Sequence, residues 1–289
     1  MSDQSVTPFP IPRRTPPEIL ALDPVRDHLK IVQWVGEYEF PYETQRSLEF
    51  ALFRTFAVPS ISSLLASSGQ FAAHGQKRYD DTAIIIAEIA ENGYDSPRGR
   101  EAIRRMNHMH HHFPISNDDY LYVLSTFVFE PSRFGRLLSW REATPNEKLA
   151  NFIFWREIGR RMAIHDIPET LEAFELFNSD YERDHFRFAE TNHQVAESSV
   201  QVFLSWYPSL FRPIARQAIY ALMDDNLLQA VGFPSPPRWW RWLVRKGFRV
   251  RAAIVCWLPR RRKPFLLTKS DIRTYPHGYK MDDLGSSDR

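Results

Sequence analysis

A single cysteine, Cys256, stands in a chain of 289 residues. One cysteine excludes an intrachain disulfide framework, cysteine-rich zinc sites and a CxxCH attachment site, and it fits a reducing compartment. No apolar run approaches the roughly 18 residues that a membrane-spanning helix needs. The N-terminus lacks the charged-then-apolar pattern of a secretory signal. These absences lead us to expect a cytoplasmic protein, soluble or peripheral on a membrane rather than spanning one. An excess of one charge is missing too. Against 37 Lys and Arg stand 35 Asp and Glu, a net charge of +2. That balance gives no reason to expect nucleic acid as a partner of the whole chain. Strand-like alternation and hairpin dipeptides are nearly absent, and no internal repeat is visible.

What is present is apolar and helical. Apolar residues make up 43% of the chain and aromatics 14%, with eight Trp. A chain of this length and composition buries a dry core as one large domain or two small ones. Residues 1–24 carry prolines at 8, 10, 12, 16, 17 and 24 and are expected to form an extended leader. Residues 270–289 are expected to form a polar tail. Between them, residues 25–269 are expected to fold as a single all-α, multi-helix globular domain. Helix ends are signalled by Gly93 as a stop, by Ser96-Pro97 as a start, and by the capping box of Thr144-Pro145-Asn146-Glu147. The stretch "DDYLYVLSTFVFEP" predicts a helix stopping before Pro131, and Pro168 predicts the opening of another.

The segment "RRMNHMHHHFPISND" packs four histidines into five residues. With 97–112 as a helix and His110 at zero, Ile103 lies near 20°, Met106 near −40° and Asn107 near 60°. Arg104, Arg105, His108 and His112 lie opposite, between roughly 120° and 220°, with His111 at the edge near 100°. His110 is therefore the one histidine centred on the apolar face. A buried histidine needs a hydrogen bond, a carboxylate or a metal, and a core carbonyl satisfies it as well as an ion does. His108 and His112 have the i,i+4 spacing that zinc sites use, but two flanking arginines repel a cation there.

Arg78 and Thr82, in "RYDDT", are also i,i+4, ahead of the buried-looking Ile85, Ile86 and Ile89. An arginine that begins the buried side of a helix wants an anion, either a ligand carboxylate or an ordinary salt-bridge partner. Two ExxH motifs, Glu182–His185 and Glu190–His193, invite a di-iron reading. They lie about 12 Å apart on a continuous helix and cannot face each other across one bundle. The charge-rich "SDYERDHFRF" predicts an ordinary wet face. Residues 238–263 hold ten Lys or Arg and no acid, with Arg241, Arg245 and Arg249 in one row and Trp240, Val244 and Phe248 in another. That pattern suits an interfacial membrane helix or a last helix packing its tryptophans on the core.

Taken in order, "KRYDDT", "RMNHMH", "FPISNDDYLYVLSTFVFEP", "WREATPNE", "FWREIGRRMAIHDIP" and "YERD" resemble one family. It is the catalytic domain shared by MpaB-type oxygenases and rubber oxygenase (latex-clearing protein), closer to the MpaB branch, over roughly residues 40–265. The resemblance implies an all-α protein built around a pocket for non-covalent haem b, which uses dioxygen to cleave carbon–carbon double bonds of isoprenoid chains. His110 matches the family's iron ligand; Arg78 and Thr82 match its Arg-x-x-x-Thr in the haem pocket, as cofactor-binding and catalytic candidates. Asp81 stands where the rubber branch can carry an iron-capping lysine, which implies an open or water-bound distal side and adds Asp81 as a catalytic candidate. Asn107 stands where the rubber branch has arginine; it is a further cofactor-binding candidate and argues against rubber as substrate. The implied partners are a hydrophobic small molecule, dioxygen and, through 238–263, a membrane surface. The alternatives from the residues themselves are a non-haem di-iron oxygenase and a helical haem carrier without turnover.

Overall fold

The structure, a computed structural model, describes residues 15–285. Among them are thirteen α-helices and no strand, as the lack of alternation predicts. In chain order the helices are α1 (Pro17–Leu20), α2 (His28–Trp34), α3 (Pro41–Phe56), α4 (Pro59–Ser67), α5 (Gln70–Asn92), α6 (Pro97–His111) and α7 (Asn117–Leu138). They continue with α8 (Pro145–Arg161), α9 (Leu171–His185), α10 (Glu190–Ser205), α11 (Arg212–Leu222), α12 (Asp225–Ala230) and α13 (Arg238–Trp257). A π-helical turn, Val35–Glu39, follows α2. Among the described residues no single helix is long and apolar enough to cross a membrane.

The caps are built as their residues dictate. The Ser96 hydroxyl accepts from the Gly99 amide at 2.9 Å, and α5 ends at Gly93 with φ of 81°. Thr144 and Glu147 close both halves of the capping box at the start of α8.

Two predicted boundaries are corrected. Helix α7 runs through Pro131 rather than stopping before it. A proline removes the donor to the carbonyl four residues back. Here Asn151 of α8 supplies substitutes, donating from Nδ2 to the Phe127 carbonyl at 3.4 Å and the Val128 carbonyl at 3.0 Å. Pro168 opens no helix; α9 begins at Leu171, where the Thr170 hydroxyl accepts from the Ala173 amide.

Helix α7 is buried on nearly all sides, from Leu121 to Leu138, and lies between two apolar clusters. One gathers α5, α6 and α8 around Ile84, Ile103, Phe127 and Phe154; the other gathers α3, α10 and α12 around Phe53, Phe203 and Leu228. The C-terminal segment is not a loose polar tail over its described part. Met281 and Leu284 join the first cluster, and Arg105 of α6 donates to the Leu284 carbonyl at 2.8 Å. Gly285, with φ of 91°, leaves room for Met109: a Cβ there would meet its sulfur at 2.1 Å. Of the leader, residues 1–14 lie outside the described residues, and α1 within it buries no side chain.

Candidate active site

A cavity of about 720 Å³ opens between α3, α4, α5, α6, α7 and the α9–α10 junction. Its size lies in the upper part of the usual range for small-molecule sites, about 300–1,000 Å³. Much of the wall is apolar, with Phe53, Ile85, Val123, Phe127, Trp155 and Phe203 among its residues. Helical spacing explains the polar exceptions on α5. The residues at 78, 82, 85, 86 and 89 share one face, so Arg78 and Thr82 continue the isoleucine row into the cavity.

His110 reaches the same cavity from α6. The three neighbouring histidines, His108, His111 and His112, are exposed, as the helical wheel predicts. Among the described residues the Nδ1 of His110 is shielded from solvent and meets no partner at full hydrogen-bond geometry; the Met106 backbone one turn back partly offsets the effect of burial on the ring. Burial, and after it the positive charge of Arg78, push the imidazole down to about 4. The ring is therefore neutral at physiological pH, the form that can ligate a metal.

Arg78 shows the complementary feature. Its Nε is buried without a hydrogen-bond partner, and no ion pair reaches its guanidinium among the described residues. The predicted salt bridge does not form. Burial lowers its pKa and the distant charge of Asp81 only partly offsets this; Phe71 lies under the guanidinium at 5.8 Å. A guanidinium unpaired among the described residues and a neutral imidazole thus line one cavity; the first can pair with an anionic group and the second can ligate a metal. The Thr82 hydroxyl donates to the Arg78 carbonyl at 2.9 Å, which leaves its oxygen able to accept.

Two sequence candidates fall away. Asp81 borders the cavity but is 2% exposed, and its carboxylate is fully engaged. It accepts from Lys77 at 2.8 Å, the Tyr275 hydroxyl at 2.6 Å and the Gly285 amide at 2.8 Å. It fastens the C-terminal segment to α5 and has no free oxygen for chemistry. Asn107 does not line the cavity; its amide donates to the Arg161 carbonyl at 2.9 Å, tying α6 to α8.

The sequence reading did not tie three other groups, Glu49, Tyr181 and His185, to this cavity. Glu49 on α3 accepts from the Tyr79 hydroxyl at 2.5 Å and pairs with Arg46 at 2.6 Å. Burial outweighs both partners and pushes its carboxyl up to about 7. An acid inside "SLEFALF" is the signal that could have found it. His185 borders the far end, stacked on Tyr181 at 4.0 Å, and Tyr181 donates to Asp119 at 2.6 Å. The face "SDYERDHFRF" is thus only half wet. Arg183, Asp184 and His185 are exposed, while Tyr181 is buried and Glu182 binds Arg54 and Arg133.

The ExxH motifs do not assemble. Helix α9 ends at His185 and α10 starts at Glu190, Glu182 is committed to arginines, and His193 faces the Val231 carbonyl at 3.0 Å. No group of three or more His, Cys, Asp or Glu among the described residues is placed to hold a metal ion.

The family described as "ER-bound oxygenase mpaB/B'/Rubber oxygenase, catalytic domain" matches residues 50–256. "ER-bound oxygenase mpaB'" of Penicillium brevicompactum is 30% identical over 84% of this chain and 61% of its own length. "ER-bound oxygenase mpaB" of Penicillium roqueforti is 30% identical over 70% of this chain and 74% of its own. The protein named "ER-bound oxygenase mpaB" from Penicillium brevicompactum is 31% identical over 59% of this chain and 48% of its own. The chain thus spans between about half and three quarters of these relatives.

Proposed function

Since the chain belongs to the catalytic-domain family of ER-bound oxygenase mpaB/B' and rubber oxygenase, we propose that it is a haem-b-dependent oxygenase. In this reading it uses dioxygen to cleave a carbon–carbon double bond of an isoprenoid or other hydrophobic alkene. One observation carries the reading: a neutral buried imidazole and an unpaired buried guanidinium meet in one largely apolar cavity. The donor set fits the group. His110 would hold the iron through neutral imidazole, Arg78 would pair with a propionate carboxylate, and the Thr82 oxygen would accept a hydrogen bond. Haem, when bound, supplies the dioxygen chemistry that no side chain in the cavity can perform.

The protein's own part is alignment, exclusion of water and proton handling. Phe53, Ile85, Val123, Phe127 and Phe203 offer an alkene only dispersion contacts, so they select a hydrophobic chain and keep the cavity dry. Glu49, with its pKa near neutrality, can hold a proton or release it at the cavity wall, and the Tyr79 hydroxyl fixes the carboxylate in place. A di-iron site has less support, because Glu182, one of its two ExxH carboxylates, is spent on Arg54 and Arg133.

The visible spectrum of the purified protein tests the cofactor first. A Soret band is expected, lost in His110→Ala and retained in His108→Ala and His112→Ala. Iron retained without a Soret band after haem supplementation would favour the di-iron reading instead. Oxygen uptake with a panel of prenylated compounds then separates an oxygenase from a haem carrier.

A further inference from the structure

Helix α13 is apolar on two faces, where an ordinary surface helix is apolar on one. Its inner face carries Trp240, Phe248, Ala252, Val255 and Cys256, packed towards α7 and α11. Its outer face is apolar and open to solvent. Trp239 is 65% exposed, Trp257 72%, and Trp242, Leu243, Val250 and Ile254 are exposed as well. On a helical wheel with Val250 at zero, these six fall between about −80° and +40°, a continuous stripe along a helix of roughly 30 Å. Monomeric soluble proteins rarely leave such a stripe uncovered.

The arginines sort by face. Arg241 and Arg251, on the inner flank, are paired with Asp225 at 2.5 Å and Glu43 at 2.7 Å. Arg238, Arg245 and Arg249 lie along the opposite edge of the stripe, at about −100° to −140°. None of the three has an ion pair among the described residues. Lys246 sits within the stripe over the Trp242 ring at 5.8 Å. A groove formed by Lys246, Arg249, Val250, Ala253, Ile254 and Trp257 runs along the same face. No acid occurs between Asp225 and Asp271, and Arg260 to Lys263 extend the basic run past the helix end. Exposed tryptophans edged by unpaired cations complement a surface that is apolar inside and anionic outside.

We infer that α13 is an interfacial helix that docks the protein flat on an anionic lipid bilayer. Trp239, Trp242, Val250, Ile254 and Trp257 enter the acyl boundary, and Arg238, Arg245 and Arg249 contact headgroup phosphates and carboxylates. The earlier row of Arg241, Arg245 and Arg249 is divided by this geometry, since Arg241 belongs to the protein and the other two to the membrane. The inference stands independently of the chemistry in the cavity.

The test is flotation of the full chain with vesicles of phosphatidylcholine alone, or mixed with phosphatidylserine, alongside tryptophan emission. We expect selective binding to the mixed vesicles, weakened by salt and accompanied by a blue shift. The double variant Trp242→Ser, Trp257→Ser should lose both signals. Arg245→Glu with Arg249→Glu should weaken binding to mixed vesicles at least about tenfold. All four positions face solvent or its edge, so circular dichroism and melting should stay those of the wild type. Failure to bind either vesicle, equal binding to both, or binding unchanged in both variants would overturn the inference. So would a dimer in solution that the tryptophan variant converts to monomer, because a second copy would then be the occupant.

Discussion

Two arginines shielded by the core, Arg54 and Arg78, sit on helices α3 and α5 in opposite circumstances. Arg54 is enclosed by carboxylates: Glu182 at 2.7 Å, Asp224 at 2.5 Å and Glu130 at 3.4 Å. Arg133 joins from α7, and the cluster raises the pKa of Arg54 well above its ordinary value. Arg78 has no such company, and its pKa falls. A closed network satisfies its own charges and locks α3, α7, α9 and the start of α12 together. An open one keeps a desolvated charge waiting for a ligand. The same residue type, buried at Arg54 and half-buried at Arg78, thus marks structure in one place and a candidate site in the other.

Breaking the closed network should have the largest effect. Arg54→Met leaves Arg133 alone to compensate Glu130 and Glu182 and should cost about 3–5 kcal/mol in urea unfolding of the cofactor-free protein. Arg78→Met removes no partner, so the same assay should move by less than about 1 kcal/mol, while haem loading falls. An equal loss at both positions would erase the distinction.

A titration sharpens it further. Folded Glu49 keeps its proton to about 7, whereas an ordinary glutamate releases it near 4.5. The stability it lends is complete below about pH 4.5 and is lost as pH rises through 7. Relative to Glu49→Gln, the wild type should therefore lose about 3 kcal/mol between those limits. Melting curves of both proteins across pH 4–8 measure this difference.

Asp81 belongs on the closed side of the comparison. Asp81→Asn should cost about 1–3 kcal/mol, through its bonds to Lys77, Tyr275 and Gly285. Urea unfolding checks this, and oxygen-uptake rates normalised to bound haem should stay close to wild type. The smallest effect is expected at the exposed histidines. His108→Ala or His112→Ala should change stability by less than about 0.5 kcal/mol.

Several features were legible from neighbours in the chain. Ser96, Thr144 and Gly93 mark helix ends because caps act within three or four residues, and the His110 wheel works for the same reason. Pro131 was misleading because its remedy, Asn151, lies on another helix. Asp81 looked like a candidate because its partners Tyr275 and Gly285 come from the far end of the chain. Glu49 escaped notice, and His185 was weighed only within an ExxH motif, because an acid or a histidine in an amphipathic run does not announce which cavity it will border.

Local periodicity by itself determined the all-α fold, the inward imidazole and the isoleucine row that carries Arg78. Only the tertiary structure decided which buried arginine would be neutralised. Its carboxylates arrive at Arg54 from positions 130, 182 and 224, and among the described residues none arrives at Arg78. Helical spacing is a matter of four residues, whereas the pairing of charges depends on which distant segments the core brings together.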